Sequence, residues 1–171
     1  MSKIVSKLRG GDRRSIGRAD EVVAEISSSP KLFAQVFAAL LKPNPVIRMR
    51  AADAIQKAAA IHPELLQPYK RTILRKVAAI DQQEVRWHVA QMLPLLQMTP
   101  KERDLAVAIL FDDLEDKSSI VRTFAMQGLA DFAMRDQRLR TRVVPLLEFL
   151  TENGSAAMRS RGRKLLAILK R

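Results

Sequence analysis

The sequence predicts an all-α protein made of helix pairs that repeat along the chain, and three observations lead to this prediction. First, helix-forming residues such as Ala, Leu, Arg, Lys and Gln recur, whereas only 5% of the 171 residues are aromatic. Second, one short pattern occurs four times at a nearly constant interval. Third, a segment with apolar residues at helical spacing precedes each copy of that pattern.

The recurring pattern is a pair made of an apolar residue and an Arg. It stands in IRMRAADAI from Ile47, VRWHVAQML from Val85, VRTFAMQGL from Val121 and MRSRGRKLL from Met158. The four Arg residues, spaced 38, 36 and 37 residues apart, are Arg48, Arg86, Arg122 and Arg159. Counted from each Arg, positions −1, +3, +7 and +10 are apolar or small. These positions form one stripe of an α-helix, so each copy predicts an amphipathic helix that buries the stripe.

The segments that precede these aligned helices predict four partner helices. They are PKLFAQVFAALL from Pro30, PELLQPYKRTILRKVAAI from Pro63, KERDLAVAILFDDL from Lys101 and QRLRTRVVPLLEFL from Gln137. Ser29 is expected to cap the first partner helix, with Pro30 in the first helical position. Thr99 and Glu102 fit a capping box at the start of the third.

Prolines and a glycine mark further breaks in the partner helices. Pro68 is expected to restart the second of them, and Pro145 to kink the fourth. The pair Asn153-Gly154 is typical of a helix end. The segment IGRADEVVAEI, from Ile16, predicts one unpaired helix that covers the N-terminal end of the array.

The apolar–Arg pairs, the small residue three positions later, the Leu or Ile seven positions later and the Pro-led partner helices resemble HEAT and armadillo repeats. The resemblance covers nearly the whole chain. It implies a right-handed α-α superhelix, or α-solenoid, of about four HEAT-like helix pairs plus an N-terminal capping helix. A basic segment at 1–14 is expected to precede a single repeat domain at 15–171. The repeats are expected at approximately 29–61, 62–98, 99–134 and 135–171.

The family commonly places an Asp just before the second helix of each repeat. Asn44, Asp81 and Asp116 could play that part in the first three repeats, whereas the fourth offers only Ser155. A regular acid–Arg ladder between repeats is therefore not expected at the C-terminal end.

Composition excludes several classes of protein. The chain has no Cys, which excludes a disulfide framework, a thiolate nucleophile and a Cys-based zinc site. The N-terminal MSKIVSKLRGGDRRS lacks the apolar core of a signal peptide. No apolar run reaches the roughly 18–20 residues that a membrane span needs. We expect a soluble, cytoplasmic protein.

The net charge of +12 is concentrated at the two ends of the chain. Residues 1–18 carry +5 and residues 159–171 carry +6, so the remaining body is nearly neutral. Such ends could attract a nucleic acid, an anionic lipid or an acidic protein, or they could simply keep a stack of helices soluble. The residues considered for anion or nucleic-acid binding are Arg13, Arg14, Arg159, Arg161, Arg163 and Lys164.

The second helices of this family line the concave side of the solenoid, so the face opposite the buried stripe is expected to meet a partner. At 100° of rotation per residue, that face contains positions +1 and +5 counted from each Arg. The expected partner-binding residues in these two columns are Met49, Asp53, Trp87, Gln91, Thr123, Gln127 and Lys164. Amides beside a large aromatic suit hydrogen bonding to a peptide backbone or to bases. A merely solvated helix face is the alternative.

Trp87 and His88 are neighbours in the second aligned helix. Trp87 falls in the outward column, where contact with a partner or with the adjacent repeat would explain it. His88 lies one column round, where repeats meet, and has no second His within reach by sequence, so lateral packing is favoured over a metal site or a triad. The aligned Arg residues are expected to reach a carboxylate or loop carbonyl of an adjacent repeat.

No motif for catalysis or cofactor binding is present in the sequence. A Gly-rich phosphate loop, Cys/His metal spacing and a nucleophile elbow are all missing. We therefore expect no enzyme, no catalytic residues, no metal and no cofactor. The family offers one exception, the alkylpurine DNA glycosylases, but those HEAT-like enzymes carry more aromatic residues on the concave face than one Trp and one Tyr allow here.

Two hypotheses of function follow. The first is a non-catalytic scaffold or adaptor module that binds a protein partner on its concave face. The second is a nucleic-acid-binding module that uses the basic ends. Stacking aromatics are nearly absent from the basic segments, which argues against single-stranded nucleic acid.

Overall fold

The computed structural model describes residues 2–171 and contains no β-strand within that range. The predicted all-α class is confirmed. The ten α-helices are α1 Lys3–Ser6, α2 Ala19–Ser28, α3 Phe33–Leu40, α4 Pro45–Ile61, α5 Lys70–Thr72, α6 Gln83–Met92, α7 Pro100–Asp113, α8 Ser119–Ala133, α9 Gln137–Asn153 and α10 Ala156–Leu169. Short 3-10 segments stand at Pro30–Leu32, Pro63–Tyr69 and Leu93–Leu95, and a π-helical segment at Ile73–Val77.

The chain forms two compact units, the first ending at Gln97 and the second beginning at Met98. In the first unit, α2, α3 and α6 all pack against α4. In the second unit, α8 packs against α7, α9 and α10, and α9 packs against α10. Each unit therefore contains an aligned helix in contact with its own partner helix and with the next aligned helix.

The buried stripe predicted for the aligned helices is largely confirmed. The small or β-branched residue at position +3 is buried in every aligned helix, as are nearly all residues at the other three stripe positions. The half-buried exceptions are Ile47, Phe132 and Leu166. The second aligned helix ends early because Pro94 cannot donate a backbone hydrogen bond, and Leu93–Leu95 tighten into a 3-10 turn. Leu96, expected on that helix, is nevertheless buried.

Small side chains make α4 the centre of the first unit. Its fully buried alanines are Ala51, Ala52, Ala54, Ala58 and Ala59. They point to more than one side of the helix, so α2, α3 and α6 can all approach its backbone closely. Nearby, the rings of Phe33, Phe37 and Tyr69 cluster, with 4.0 Å between the centroids of Phe37 and Tyr69.

The basic N-terminal segment is folded onto the first unit. Helix α1 packs against α3, and Ile4, Val5 and Leu8 are buried. The helix expected from Ile16 begins at Ala19, because the preceding residues form a loop that closes around the side chain of Arg50.

Arg50 is 3% exposed, and its guanidinium donates to four backbone carbonyls of this loop. These acceptors belong to Leu8, Arg9, Asp12 and Ser15, at 3.0–3.4 Å. Gly17 adopts φ +59°, and a Cβ there would lie 2.6 Å from Arg50 Cζ. A side chain at position 17 would thus be strained by the backbone and would also collide with the guanidinium.

The second partner helix is irregular. Pro63–Tyr69 is 3-10, Lys70–Thr72 forms one α-turn, and Ile73–Val77 is π-helical. The helix does not restart at Pro68 as predicted, because Pro68 lies inside the 3-10 segment and the α-turn begins at Lys70. Proline explains the break because it removes a backbone donor and crowds the preceding turn. Pro145, by contrast, lies inside the continuous helix α9.

Side chains cap the first turns of several helices. Thr99 and Glu102 form the predicted capping box. Asn44 and Ser155 accept hydrogen bonds from backbone N–H groups of α4 and α10. Ser29 makes no side-chain cap, although Pro30 begins the helical turn as predicted. Helix α9 ends at Asn153, and Gly154 follows it with φ −84°, outside the left-handed region that favours glycine. Glycine is required there for space, because a Cβ would overlap the carbonyl oxygen of Leu150.

Gly162 allows α10 to approach its neighbours in the second unit. A Cβ at this position would overlap Thr151 Oγ1 of α9 and would lie 3.2 Å from Met126 Cε of α8. Thr151 cannot turn away freely, because it is β-branched and its hydroxyl donates to the carbonyl oxygen of Leu147.

Gly162→Ala should therefore lower the free energy of unfolding by about 1–3 kcal/mol, although Ala is the better helix former. Urea denaturation of the variant beside wild type measures this. Ser160→Ala, at an exposed position of the same helix, is the matched control and should be neutral or slightly stabilising. A Gly162→Ala protein as stable as the control would contradict the close approach.

Arg50→Met should release the N-terminal loop, because four carbonyls lose a charged donor while the apolar stem is kept. We expect tryptic cleavage after Arg9, Arg13 and Arg14 to become about tenfold faster or more, measured by mass spectrometry. Arg48→Met is the control and should leave these rates unchanged. Wild-type cleavage rates in the Arg50 variant would show that other contacts hold the segment.

Candidate functional site

The polar centre of the first unit lies between α4 and α6. Asp53 and His88 are 8% and 7% exposed, and 3.5 Å separates Asp53 Oδ1 from His88 Nε2. His88 Nδ1 donates to the backbone carbonyl of Glu84 at 2.5 Å, and the indole N–H of Trp87 lies 3.3 Å from Nε2. Nε2 of His88 therefore faces both the indole N–H of Trp87 and the carboxylate of Asp53.

The charge of Asp53 is balanced by Lys57. Lys57 Nζ lies 2.9 Å from Asp53 Oδ2 and donates to Asp20 of α2 at 2.8 Å. Burial raises the pKa of Asp53, but its contacts with His88 and Lys57 outweigh burial, so the pKa lies below its ordinary value. The carboxylate therefore stabilises the fold above its ordinary pKa, and this contribution is lost as the pH falls through the lowered value.

Glu84, one turn before His88, is a second buried carboxylate in this centre. It is 4% exposed, and its Oε1 lies 3.7 Å from the guanidinium of Arg13. Its Oε2 has no hydrogen-bond partner among residues 2–171. Arg13, considered for nucleic-acid binding, therefore ties the N-terminal loop to α6. Arg14 is exposed and pairs with Asp12 at 3.0 Å.

The second unit repeats this arrangement with other residues. Arg161 of α10 donates to Gln127 Oε1 of α8 at 2.7 Å and lies over the ring of Phe124, with 5.5 Å from Cζ to the centroid. Gln127 Nε2 in turn donates to Asp131 at 2.8 Å. Burial raises the pKa of Asp131, and the hydrogen bond from Gln127 and the charges of Arg135 and Arg161 only partly offset it.

One contact thus recurs in both units. The residue five positions after the aligned Arg of one helix meets the residue two positions after the aligned Arg of the next. The two pairs are Asp53–His88 and Gln127–Arg161. His88 is therefore a residue of helix–helix packing, as the sequence indicated, and so is Arg161, which we had considered for anion binding.

The expectation of an outward-facing strip is wrong for three of its residues. Met49, Asp53 and Thr123 are 5%, 8% and 7% exposed, because α4 and α8 each pack against several neighbouring helices of their own unit. They offer little surface to a partner. Trp87, Gln91 and Gln127 are half-buried, and Lys164 is exposed. The amide of Gln91 donates to the carbonyl of Trp87, so both Gln side chains hold intramolecular hydrogen bonds.

Two of the aligned Arg residues have structural contacts, but neither reaches the expected carboxylate or loop carbonyl of an adjacent repeat. Arg48 donates to the carbonyl of Lys42 at 3.1 Å and to Gln82 Oε1 at 3.2 Å, and Gln82 precedes the next aligned helix. Arg159 donates to the carbonyl of Gly154 at 2.7 Å.

Helix α10 carries the most concentrated charge of the second unit, and it contains no acidic residue. The half opposite the buried Met158, Gly162 and Leu165 is exposed. We call this half the basic end face; its members are Arg159, Arg163, Lys164, Ile168 and Arg171, the last just beyond the helix.

The sequence patterns did not predict that two large apolar residues of α9 and α10 are exposed. Ile168 is 51% exposed, and Phe149 of α9 is 60% exposed. Both lie outside the apolar stripes that the helical period assigns to the core. An apolar residue in such a position is the signal that could have identified them from the sequence.

An apolar cavity of about 570 Å³ lies between α1, α3 and the start of α4. Its lining includes Val5, Ala38, Ala39 and Ile47. No side chain that could act as an acid, base or nucleophile lines it apart from Ser2 and Lys42.

No family model and no curated protein matches the chain. Within residues 2–171, no helix is both long enough and apolar enough to cross a membrane. Among the same residues, no three His, Asp or Glu side chains converge in a group that could hold a metal ion.

Asp131→Asn should stabilise the protein at pH 7. The pKa of Asp131 is higher in the folded protein than its ordinary value. Wild type therefore loses stability as the pH rises from below the ordinary Asp pKa through the raised pKa. The Asn side chain does not ionise, so the variant avoids this loss. Urea unfolding should show a higher midpoint for the variant at pH 7 and no difference near pH 3. Asp104→Asn, at an exposed position of α7, controls for the change in net charge. Equal or lower stability of Asp131→Asn at pH 7, relative to that control, would contradict the effect of burial.

Proposed function

We propose that this protein is a non-catalytic helical-repeat adaptor of the HEAT type that binds an acidic segment of a protein partner. The basic end face of α10 carries this proposal. Four exposed cations stand on it without one acidic residue in the helix. Arg159 also places positive charge near the N-terminus of α10, where the helix dipole disfavours it, so stability alone does not account for the pattern.

The repeat assignment is supported by the regularity of the contacts. In both units an aligned helix packs on its partner helix and on the next aligned helix. The same pair of positions, five and two residues after the Arg, forms the contact between aligned helices. Such regularity is expected when each repeat buries its apolar stripe against its neighbours in a solenoid.

The absence of a catalytic role is supported by the burial of the polar centre. Asp53 and His88 are both less than one-tenth exposed, and their contacts are with each other, with Lys57, with Trp87 and with a backbone carbonyl. Little of either side chain is accessible to a substrate. This argues for packing rather than general acid–base chemistry.

Exposed apolar residues favour a protein over a nucleic acid as the partner. Ile168 lies among the cations of α10, and Phe149 lies on α9, which packs against α10. An acidic peptide with apolar side chains would use both features, since protein interfaces combine an apolar core with a charged rim. Nucleic acid remains the second candidate, because unpaired Arg and Lys residues are also what a phosphate backbone needs.

The variant Arg163→Gln/Lys164→Gln/Arg171→Gln should lose partner binding, because it removes three exposed cations of the face while leaving the buried side of α10 unchanged. Immobilised wild type and variant are incubated with lysate of the source cell, and the captured proteins are quantified by mass spectrometry. The proteins lost in the variant should share acidic segments.

The matched control is Arg71→Gln/Arg75→Gln/Lys76→Gln, which removes the same charge from the first unit. Trp87→Ala is compared in parallel, because the sequence placed the partner at that residue. Capture unchanged by the α10 variant would refute the assignment to this face. If the α10 variant instead loses captured nucleic acid, identified by its sensitivity to nuclease, the face binds nucleic acid, which is the second candidate.

A further inference from the structure

A second concentration of positive charge lies on the first unit, around α5 and the π-helical segment. Here Arg71, Thr72, Arg75 and Lys76 line a cavity of about 350 Å³. We call it the basic groove. Arg71, Arg75 and Lys76 are exposed, whereas Ile73, Leu74 and Val77 between them are buried. The buried residues fix the backbone, so the cations project from an anchored segment.

The cations of the basic groove form no ion pair within the part of the chain that the structure describes. Arg71, Arg75 and Lys76 have no hydrogen-bond or ion-pair partner among residues 2–171, and no carboxylate lines the cavity. Three like charges within six residues repel one another, and an anionic ligand would remove this repulsion.

The π-helical segment shapes the groove. The N–H of Ala78 donates to the carbonyl of Ile73 at 2.9 Å, a wider turn than in an α-helix. Isolated π-turns are frequent at functional sites because they change the direction in which side chains project. The preceding 3-10 turn ends at Tyr69, so the α-helical geometry is interrupted on both sides of Arg71.

The lining identifies the chemistry of the ligand. Two guanidinium groups, one ammonium and one hydroxyl can all donate hydrogen bonds to phosphate oxygens. No aromatic side chain lines the cavity to stack a free base, and no apolar side chain is there to hold the residues beside a phosphorylated side chain. The cations extend from Arg71 to Lys76 over α5 and the π-helical segment, so they can address more than one phosphate.

We propose that the basic groove binds consecutive phosphates of a nucleic-acid duplex backbone without reading its sequence. The groove lies in the other unit from the basic end face, and its role does not depend on the proposed protein partner. Contacts of this kind position a protein on a duplex and make its affinity strongly dependent on salt.

The test is binding of fluorescently labelled duplex DNA and duplex RNA of random sequence, followed by anisotropy over a range of salt concentrations. Arg71→Gln/Arg75→Gln/Lys76→Gln should weaken binding about tenfold or more at low salt and reduce the slope of log K against log salt by about 2–3. Arg71→Lys/Arg75→Lys keeps the charge and should retain most of the affinity. Lys101→Gln/Lys117→Gln/Arg138→Gln removes three exposed cations of the second unit outside the basic end face and is the matched control with the same change in net charge.

Each outcome decides the proposal. A loss confined to the groove variant, with an unchanged thermal melting curve by circular dichroism, supports it. An equal loss in both triple variants would show that affinity follows net charge and would overturn it. No duplex binding by wild type at low salt would overturn it as well. So would groove-dependent binding of a phosphoserine peptide or of inorganic phosphate without binding of the duplex. If the triple variant unfolds, the single variants Arg75→Gln and Lys76→Gln are compared with Arg138→Gln and Lys117→Gln by the same criterion.

Discussion

The close approach of neighbouring helices depends on a small residue at the middle of three of the four aligned helices, whereas α6 has Val89 there. In α10 this residue is Gly162, where even a methyl group would overlap Thr151 of α9. In α4 and α8 it is a fully buried Ala. The close approach brings the polar residues on either side of the stripe within hydrogen-bonding distance of the next aligned helix. The contacts Asp53–His88 and Gln127–Arg161 are consequences of that spacing.

The polar residues at these contacts join neighbouring helices and do not form an accessible surface. A buried carboxylate is costly unless it is paired, and Asp53 is paired with His88 and Lys57. The contacts of Asp131 offset the effect of burial only in part, so its pKa is raised. Both units therefore use a polar contact to fix the register of two helices, at different electrostatic cost.

Each unit carries a concentrated group of exposed cations. The basic end face lies on α10, and the basic groove lies around α5 and the π-helical segment. The end face includes an exposed apolar residue, whereas the lining of the groove is entirely polar or charged. This contrast is the reason for assigning a protein segment to the first and a phosphate backbone to the second.

The sequence by itself determined the helical class, the buried stripe and most of the helix boundaries, because these follow from local periodicity, prolines and caps. Thr99 with Glu102, and the stripe from Val121 to Leu129, illustrate this. Tertiary structure alone decided which polar residues are accessible. Asp53 and His88 are 35 positions apart, and no periodicity within one helix shows that they meet. The capture of the N-terminal loop by Arg50 likewise depends on a side chain distant in sequence, so an expected basic arm became part of the fold.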